Sequence, residues 1–453
     1  MKQNLTTGSV PKTVLVFALP YLLSYFLQTL YGMADLFITG QFYGVDSITA
    51  VANGSQVMHM ITVILVGLAM GATVIIGRAV GGNRMDEAGK AVGNTVTFRK
   101  RTVTLFMVLA AALMAVLLCL ARPIVILIGT PEEAVAETVQ YLVICFLGIP
   151  FITAYNIISA IFRGMGDSKS PMYFIAIACA ANIGLDYLFL GAWKMGAAGA
   201  ALGTTLSQTI SVVISLAVIL RKNTGLSLKH SDFRPDRMMM GQILKIGFPV
   251  AVQDGCIQIA FLLITVIANH RGLDDAAAVG IVEKIISALF IVPSSMLATV
   301  SALSAQNIGA GKHKRASQTL RYATILTTAY GIVITILMEL AVQPVMQLFT
   351  PDAAVVALGC QYMRGYIIDT IFAGIHFSFS GYFAAYGKSY IGFLHNMAAI
   401  VLLRVPGSYL ASRMFPETLF PMGLAAPAGS LLSVVICLGA FFWMKRRGTI
   451  ECA

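Results

Sequence analysis

The run Pro20-Tyr21-Leu22-Leu23-Ser24-Tyr25-Phe26-Leu27-Gln28-Thr29-Leu30-Tyr31-Gly32-Met33-Ala34-Asp35 lies inside an apolar stretch over 14–38. That stretch is long enough to cross a bilayer. A proline in a helix removes one backbone donor and crowds the preceding turn, so a bend is expected at Pro20. Gln28, Tyr31 and Asp35 are spaced i, i+3, i+7 and share one helix face. An acid among apolar neighbours is costly in a membrane and marks a functional position by default. Blander readings compete. Asp35 would also serve as a polar helix end, since it rises roughly 35 Å above Lys12 at 1.5 Å per residue. Proline, for its part, is common in transmembrane helices.

Composition narrows the class. The chain has 453 residues, 58% hydrophobic and only 11% charged, against about 25% charged in soluble domains. This is the profile of a polytopic membrane protein. The first eleven residues are polar and lack a small-residue cleavage site, and the apolar run after them is too long for a signal-peptide core. The seven cysteines are scattered, with no CxxC or Cys/His spacing, so neither a disulfide framework nor a zinc site is expected.

Apolar runs bounded by Gly, Pro and charge predict twelve spans, at 14–38, 48–80, 88–120, 135–162, 171–190, 197–220, 241–267, 276–308, 316–349, 353–386, 390–415 and 423–443. With both termini placed in the cytoplasm, the basic clusters fall on that side. They are Arg78, Arg84, Lys90 and Arg99-Lys100-Arg101; Arg221-Lys222 through Lys245; Lys312, Lys314 and Arg315; and Lys445-Arg446-Arg447. The net charge of +11 is therefore a topology signal and not a nucleic-acid patch.

The longest polar segment divides the spans six and six, and the halves repeat. Phe17-Ala18-Leu19-Pro20 pairs with Ile246-Gly247-Phe248-Pro249. The turn Gly77 to Arg84 pairs with Ala305 to Lys312, Gly129-Thr130-Pro131 with Phe349-Thr350-Pro351, Gly166 with Gly387, and Met195-Gly196 with Met422-Gly423. Five landmarks in one order, all about 220–230 residues apart, indicate duplication. Even-numbered halves enter from the same side, so the repeats are parallel, related by a pseudo-two-fold along the membrane normal. The expected organisation is an N-lobe over 1–222, a cytoplasmic linker over 223–240 and a C-lobe over 241–453. Gly309-Ala310-Gly311-Lys312 lacks the register of a phosphate loop and reads as a helix C-cap, as does Gly81-Gly82.

The repeat sharpens the opening stretch. Pro20 recurs as Pro249, whereas the position matching Asp35 is Ile264. An acid in one lobe only points to a task of its own. Asn182 and Asp186, four apart on span five, share a face, and Thr204 and Thr205 on span six offer hydroxyls. Thr also bonds its own helix backbone, which leaves the threonines open. In the second lobe Asp254, Glu283, Lys284, Asp369 and Arg404 form a candidate polar network. Glu339 has no obvious partner.

With these residues in view, the chain resembles the multidrug and toxic compound extrusion (MATE) transporters over essentially its full length. The likeness rests on the 6+6 spans, the Pro20 to Asp35 spacing with Gln28-Thr29-Leu30-Tyr31 between, Ile308 to Lys312, and Arg163-Gly164-Met165-Gly166-Asp167. The resemblance implies an all-α membrane fold of the MATE/MOP type and no enzyme activity. It implies antiport of organic cations and drugs against H⁺ or Na⁺, with no other cofactor. In the DinF-like branch a first-helix aspartate works with an Asn-x3-Asp pair and a threonine; Asp35, Asn182, Asp186 and Thr204 match. Na⁺ at Asp35 and Asp186 is the one metal the likeness admits. Pro20, Gln28 and Tyr31 would border the bend and the substrate cavity. The sodium-coupled NorM-like branch carries acids on helices seven and ten, but Asp254 and Asp369 are out of register with them. A monomer in the plasma (inner) membrane, with the lipid bilayer and cationic amphipathic molecules as its partners, is the expected state.

Two carboxylates in one low-dielectric pocket cannot both ionise comfortably, so Asp35 and Asp186 are expected to hold a proton between them. Its arrival from outside would let helix one bend at Pro20 and release the cargo. Other transporter classes fit less well. A major-facilitator transporter wants Asp-Arg-x-Gly-Arg after span two, where this chain has Gly82-Asn83-Arg84-Met85-Asp86-Glu87. A lipid-linked oligosaccharide flippase of the same superfamily is the alternative; it needs a basic cavity, whereas the first-helix charge here is acidic.

Overall fold

In hydrocarbon a backbone satisfies its N–H and C=O groups within its own segment, and the chain is helical wherever the apolar runs lie. The computed structural model describes residues 5–95, 105–221, 236–448 and 450. Its first helices are α1 (Val10–Phe42), α2 (Val45–Gly81), α3 (Met85–Thr95), α4 (Leu105–Leu127), α5 (Glu132–Leu147), α6 (Ile149–Gly164), α7 (Lys169–Asp186) and α8 (Gly196–Arg221). After the expected linker come α9 (Arg237–Asn269), α10 (Leu273–Leu289), α11 (Ile291–Gly309), α12 (His313–Gln347), α13 (Ala353–Tyr366), α14 (Asp369–Ala385), α15 (Ser389–Ala399), α16 (Val405–Met414) and α17 (Phe420–Arg446). Among the described residues ten segments are long and apolar enough to span alone. Two bent pairs, α5 with α6 (47°) and α13 with α14 (42°), bring the total to twelve. The protein is a multi-pass membrane protein.

Expected boundaries hold to a few residues except at span three. Of the segment expected over 88–120, the described parts are α3, with Asp86, Glu87 and Lys90 near its start, and α4, where the candidate crossing covers Phe106–Leu127 and so runs seven residues past the expected end. Residues 96–104, with Arg99-Lys100-Arg101, lie outside the described residues, and so does most of the expected linker, 222–235.

The chain forms two compact units, Leu19–Gly247 and Asn4–Ala18 with Phe248–Ala453. The division between them falls inside α1 between Ala18 and Leu19 and inside α9 between Gly247 and Phe248, each one residue ahead of its proline. In the first unit α2 packs on α5 and α6, and α8 packs on α5, α6 and α7. The second unit repeats the scheme, with α11 on α14, α10 on α13, and α17 on α13, α14, α15 and α16.

The repeated glycine signatures have one structural cause. Helix α2 ends with Asn83 at φ 55°, α11 with Gly311 at φ 72°, α6 with Gly166 at φ 89° and the α14 end with Gly387 at φ 70°. Each is followed by an N–H that reaches back five residues: Arg84 to Ala79, Lys312 to Asn307, Asp167 to Phe162 and Lys388 to Phe383, all at 2.8 Å. These are Schellman caps, which require a left-handed residue, and glycine fills three of the four.

Within the second unit the amino-terminal segment is held by its carbonyls. Arg315 donates from Nη1 to Gly8 O (2.6 Å) and from Nη2 to Thr7 O (2.7 Å), and Lys312 Nζ donates to Thr6 O (2.8 Å). Leu5 is buried there.

Candidate functional site

Helix α1 is continuous through Pro20, which has no N–H to bond the carbonyl one turn before it. Ser24 Oγ donates to the Pro20 carbonyl at 2.8 Å. About 22 Å further along the helix, Asp35 is 1% exposed, seven residues before the helix ends. It is no snorkelling helix end.

Helices α7 and α8 bring the partners. Thr204 Oγ1 donates to Asp35 Oδ2 at 3.0 Å, so this threonine bonds across helices and not to its own turn. Tyr31, one turn below Asp35, donates from its hydroxyl to the Thr204 carbonyl at 3.1 Å and lies 3.3 Å from Ser207 Oγ. Asn182 and Asp186 are both fully buried and interact with the Asp35 carboxyl. Gln28 is half-buried and makes no side-chain hydrogen bond among the described residues. Thr205 turns the other way, toward Ile144 O at 3.4 Å.

Two local features aim Asp186. Immediately after it the helix widens into a π-helical stretch, Tyr187–Ala192. Such widenings rotate side chains off the α-helical register and recur at functional sites. Opposite it stands Gly203, where a Cβ would collide with Asp186 Oδ1. Gly203 and Ser207 complete the site and were absent from the sequence reading. The spacing Gly199-x3-Gly203, a signature of close helix approach, was the available signal.

The pocket is unsatisfied. Asp35 Oδ1, both Asp186 oxygens and both amide atoms of Asn182 are buried without a hydrogen-bond partner. Buried polar atoms in that number are costly, and each calls for an explanation. Four of the five are oxygens, and no basic side chain forms an ion pair with either acid among the described residues. What such a set accepts is a proton shared between the carboxyls, or a small hard cation held by oxygens.

The second unit disposes of its charges differently. Arg404 Nη2 donates to Asp369 Oδ2 at 2.7 Å, and both are buried. Asp369 stands at the bend between α13 and α14, and Arg404 closes a second π-helical stretch, Ile400–Arg404. Glu283 accepts from Thr265 Oγ1 at 3.1 Å and feels the Arg404 charge. Lys284 is exposed and Asp254 half-buried, with no hydrogen bond or ion pair for either among the described residues. Glu339 meets Arg364 at 3.5 Å, a pairing the sequence did not suggest.

Comparison with known proteins agrees with this architecture. The family model described as MatE matches residues 20–188 and 249–410. The chain is 26% identical to the "Probable multidrug resistance protein YoeA" of Bacillus subtilis, covering 99% of this chain and 97% of that protein. It is 28% identical to the "Probable multidrug resistance protein YpnP" of the same organism, covering 93% of each. Its fold is similar to the solved "Outward-facing conformation of a multidrug resistance MATE family transporter of the MOP superfamily". That match has a TM-score of 0.88 and 20% identity, over 98% of this chain and 97% of that one.

Proposed function

Because the chain belongs to the MatE family, we propose that it is a secondary active exporter that antiports cationic, amphipathic small molecules against H⁺ or Na⁺. Its two repeats act as lobes in alternating access, within a monomer of the cell membrane whose termini are both cytoplasmic. Cargo of this kind is what the drug-resistance names of YoeA and YpnP support. The one observation that carries the reading is the group Asp35, Asp186, Asn182 and Thr204, buried together with five polar atoms unpaired. Placing an acid pair on α1 and α7, with a threonine on α8, follows the DinF-like pattern of the family.

The cycle follows from the charges. With the pocket empty, two carboxyls face each other without a counter-charge, and an external proton or Na⁺ relieves them. Neutralisation draws α1, α7 and α8 together around the filled site. Helix α1 accommodates this at Pro20, where the hydrogen-bond ladder is already broken, and the change of shape releases the cargo outward. On return toward the cytoplasm the site loses its ion and the transporter takes up new cargo. Differential affinity of the two states for the ion is what drives the change.

Purified protein in liposomes, loaded with a fluorescent monocation, tests this with a pH gradient and a Na⁺ gradient applied separately. One gradient should drive export and its collapse should stop it. Export indifferent to both would overturn the reading.

A further inference from the structure

Helix α1 is divided between the two units, and its two parts are fastened by different means. Its first turns belong to the second unit, and Val10, Val14 and Phe17 on them are buried. The segment leading into them is held as a strap, whose four consecutive carbonyls accept from the α11–α12 region. Leu5 O accepts from Asn307 Nδ2 and Arg315 Nε, both at 3.4 Å, and Thr6 O from Lys312 Nζ at 2.8 Å. Thr7 O and Gly8 O share the two Arg315 Nη atoms, at 2.7 and 2.6 Å. Gly8 has a φ of 78°, a left-handed conformation that glycine enters without strain. Neither Arg315 nor Lys312 forms an ion pair among the described residues, so the strap carbonyls are their partners. Just past the division, within the first unit, the Arg163 guanidinium lies over the Tyr21 ring, 4.4 Å from its centroid. Between the two grips stand Ala18, Leu19 and Pro20.

Helix α9 is divided in the same way, but its leading part is fixed by backbone packing. Within the first unit, a Cβ on Gly71 would collide with the Ile243 carbonyl, and one on Gly247 with the Leu68 carbonyl. So close an approach needs residues without bulk on both helices. At the matching positions of the repeat stand Thr299 and Ala18, and α1 cannot be seated that way. Its leading turns rely instead on side-chain burial and on the strap, whose charge-assisted hydrogen bonds are the stronger kind.

We propose that Arg315 is a positioning residue for coupling: it anchors the leading end of α1 to the second unit, so that ion binding at Asp35 in the first unit is transmitted along the helix. This rests on the export function proposed above. Coupling needs an element whose state both sites bias, and α1 is one only while both its parts are held. With the strap released, the leading turns give way as α1 bends at Pro20, and the ion binds without acting on the second unit. Lys312 and the buried Leu5 side chain hold the strap together with Arg315.

Hydrogen–deuterium exchange in nanodiscs, with and without the ion that drives wild-type export, reads both ends of α1 at once. In wild type the ion should change exchange over 29–42, around Asp35, and over 10–18. Two variants release the strap from opposite sides: Arg315→Gln removes the cation, and Leu5→Asp puts a charge where the buried side chain sits. In both, the response over 29–42 should persist and that over 10–18 should vanish. Maximal driven export of a fluorescent monocation from liposomes should fall about tenfold or more, the scale of one charged hydrogen bond. Arg315→Lys keeps the charge but cannot fork two carbonyls, and should fall between. Misfolding would remove both responses of one preparation together and cannot imitate the loss of one. A response over 10–18 that is absent from wild type, or retained in both variants, would overturn the assignment whatever the export rate, as would its loss together with that over 29–42. Wild type that exports under neither gradient would overturn the export function, and the coupling role with it.

Discussion

Asp186 is aimed by what its neighbour lacks. Gly203 has no side chain, and a single methyl there would meet the Asp186 carboxyl. Gly203→Ala should therefore displace Asp186 and weaken ion-driven export, with a loss of about 1–3 kcal/mol in stability from overpacking. Thermal unfolding in detergent and dye export check the two effects. The buried pair in the second unit gives a sharper contrast. Asp369→Asn leaves the Arg404 guanidinium uncompensated and should cost about 3–5 kcal/mol. Changing both partners, Asp369→Leu with Arg404→Met, should recover most of that loss, because an apolar pair replaces a buried ion pair at little cost. A melting temperature for each variant decides it; equal losses in single and double variants would count against the pairing. At this scale the sequence was only partly legible. Asp35 and Asp186 stood out because charge is rare in apolar runs. From helix periodicity alone Thr204 and Thr205 were not separable, since adjacent helix residues differ by about 100° in direction; the family resemblance pointed to Thr204, and packing turns that one toward Asp35.

Among the elements, α1 is the one whose bending the proposal needs. Its proline withholds a hydrogen bond from the preceding turn, and its Ser24 hydroxyl competes for the Pro20 carbonyl. Pro20→Ala should restore one backbone hydrogen bond, about 1 kcal/mol. That shifts the balance of straight and bent helix roughly fivefold toward straight. Export should slow by about that factor while dye binding persists; unchanged export would show that α1 does not bend in the cycle. Proline acts elsewhere without such freedom. Pro293 cannot bond the Leu289 carbonyl, and the Tyr330 hydroxyl takes it at 3.0 Å. The π-helical stretches at Tyr187–Ala192 and Ile400–Arg404 lay beyond sequence reading, because a one-residue widening leaves the apolar pattern intact.

For the molecule as a whole, duplication was the legible part. Turn glycines survive in both halves because a left-handed cap admits little else, so Gly166 and Gly387 could be matched across about 220 residues without any structure. Chemistry diverged where the scaffold did not. One repeat keeps an unpaired acid group at Asp35 and Asp186, and the other closes its acid with Arg404. That asymmetry was visible as an aspartate matched by Ile264, and Asp369 and Arg404 stood together in the candidate network, but which of its five members pair is decided by packing between spans. In the proposed cycle the driving ion binds in the pocket at Asp35. The most direct test is export of a fluorescent monocation by Asp35→Asn protein in liposomes under the gradient that drives wild type. Loss of driven export by about a hundredfold, the scale of two to three kcal/mol, with folding and dye binding retained, is the expected result. Export at the wild-type rate would contradict the account.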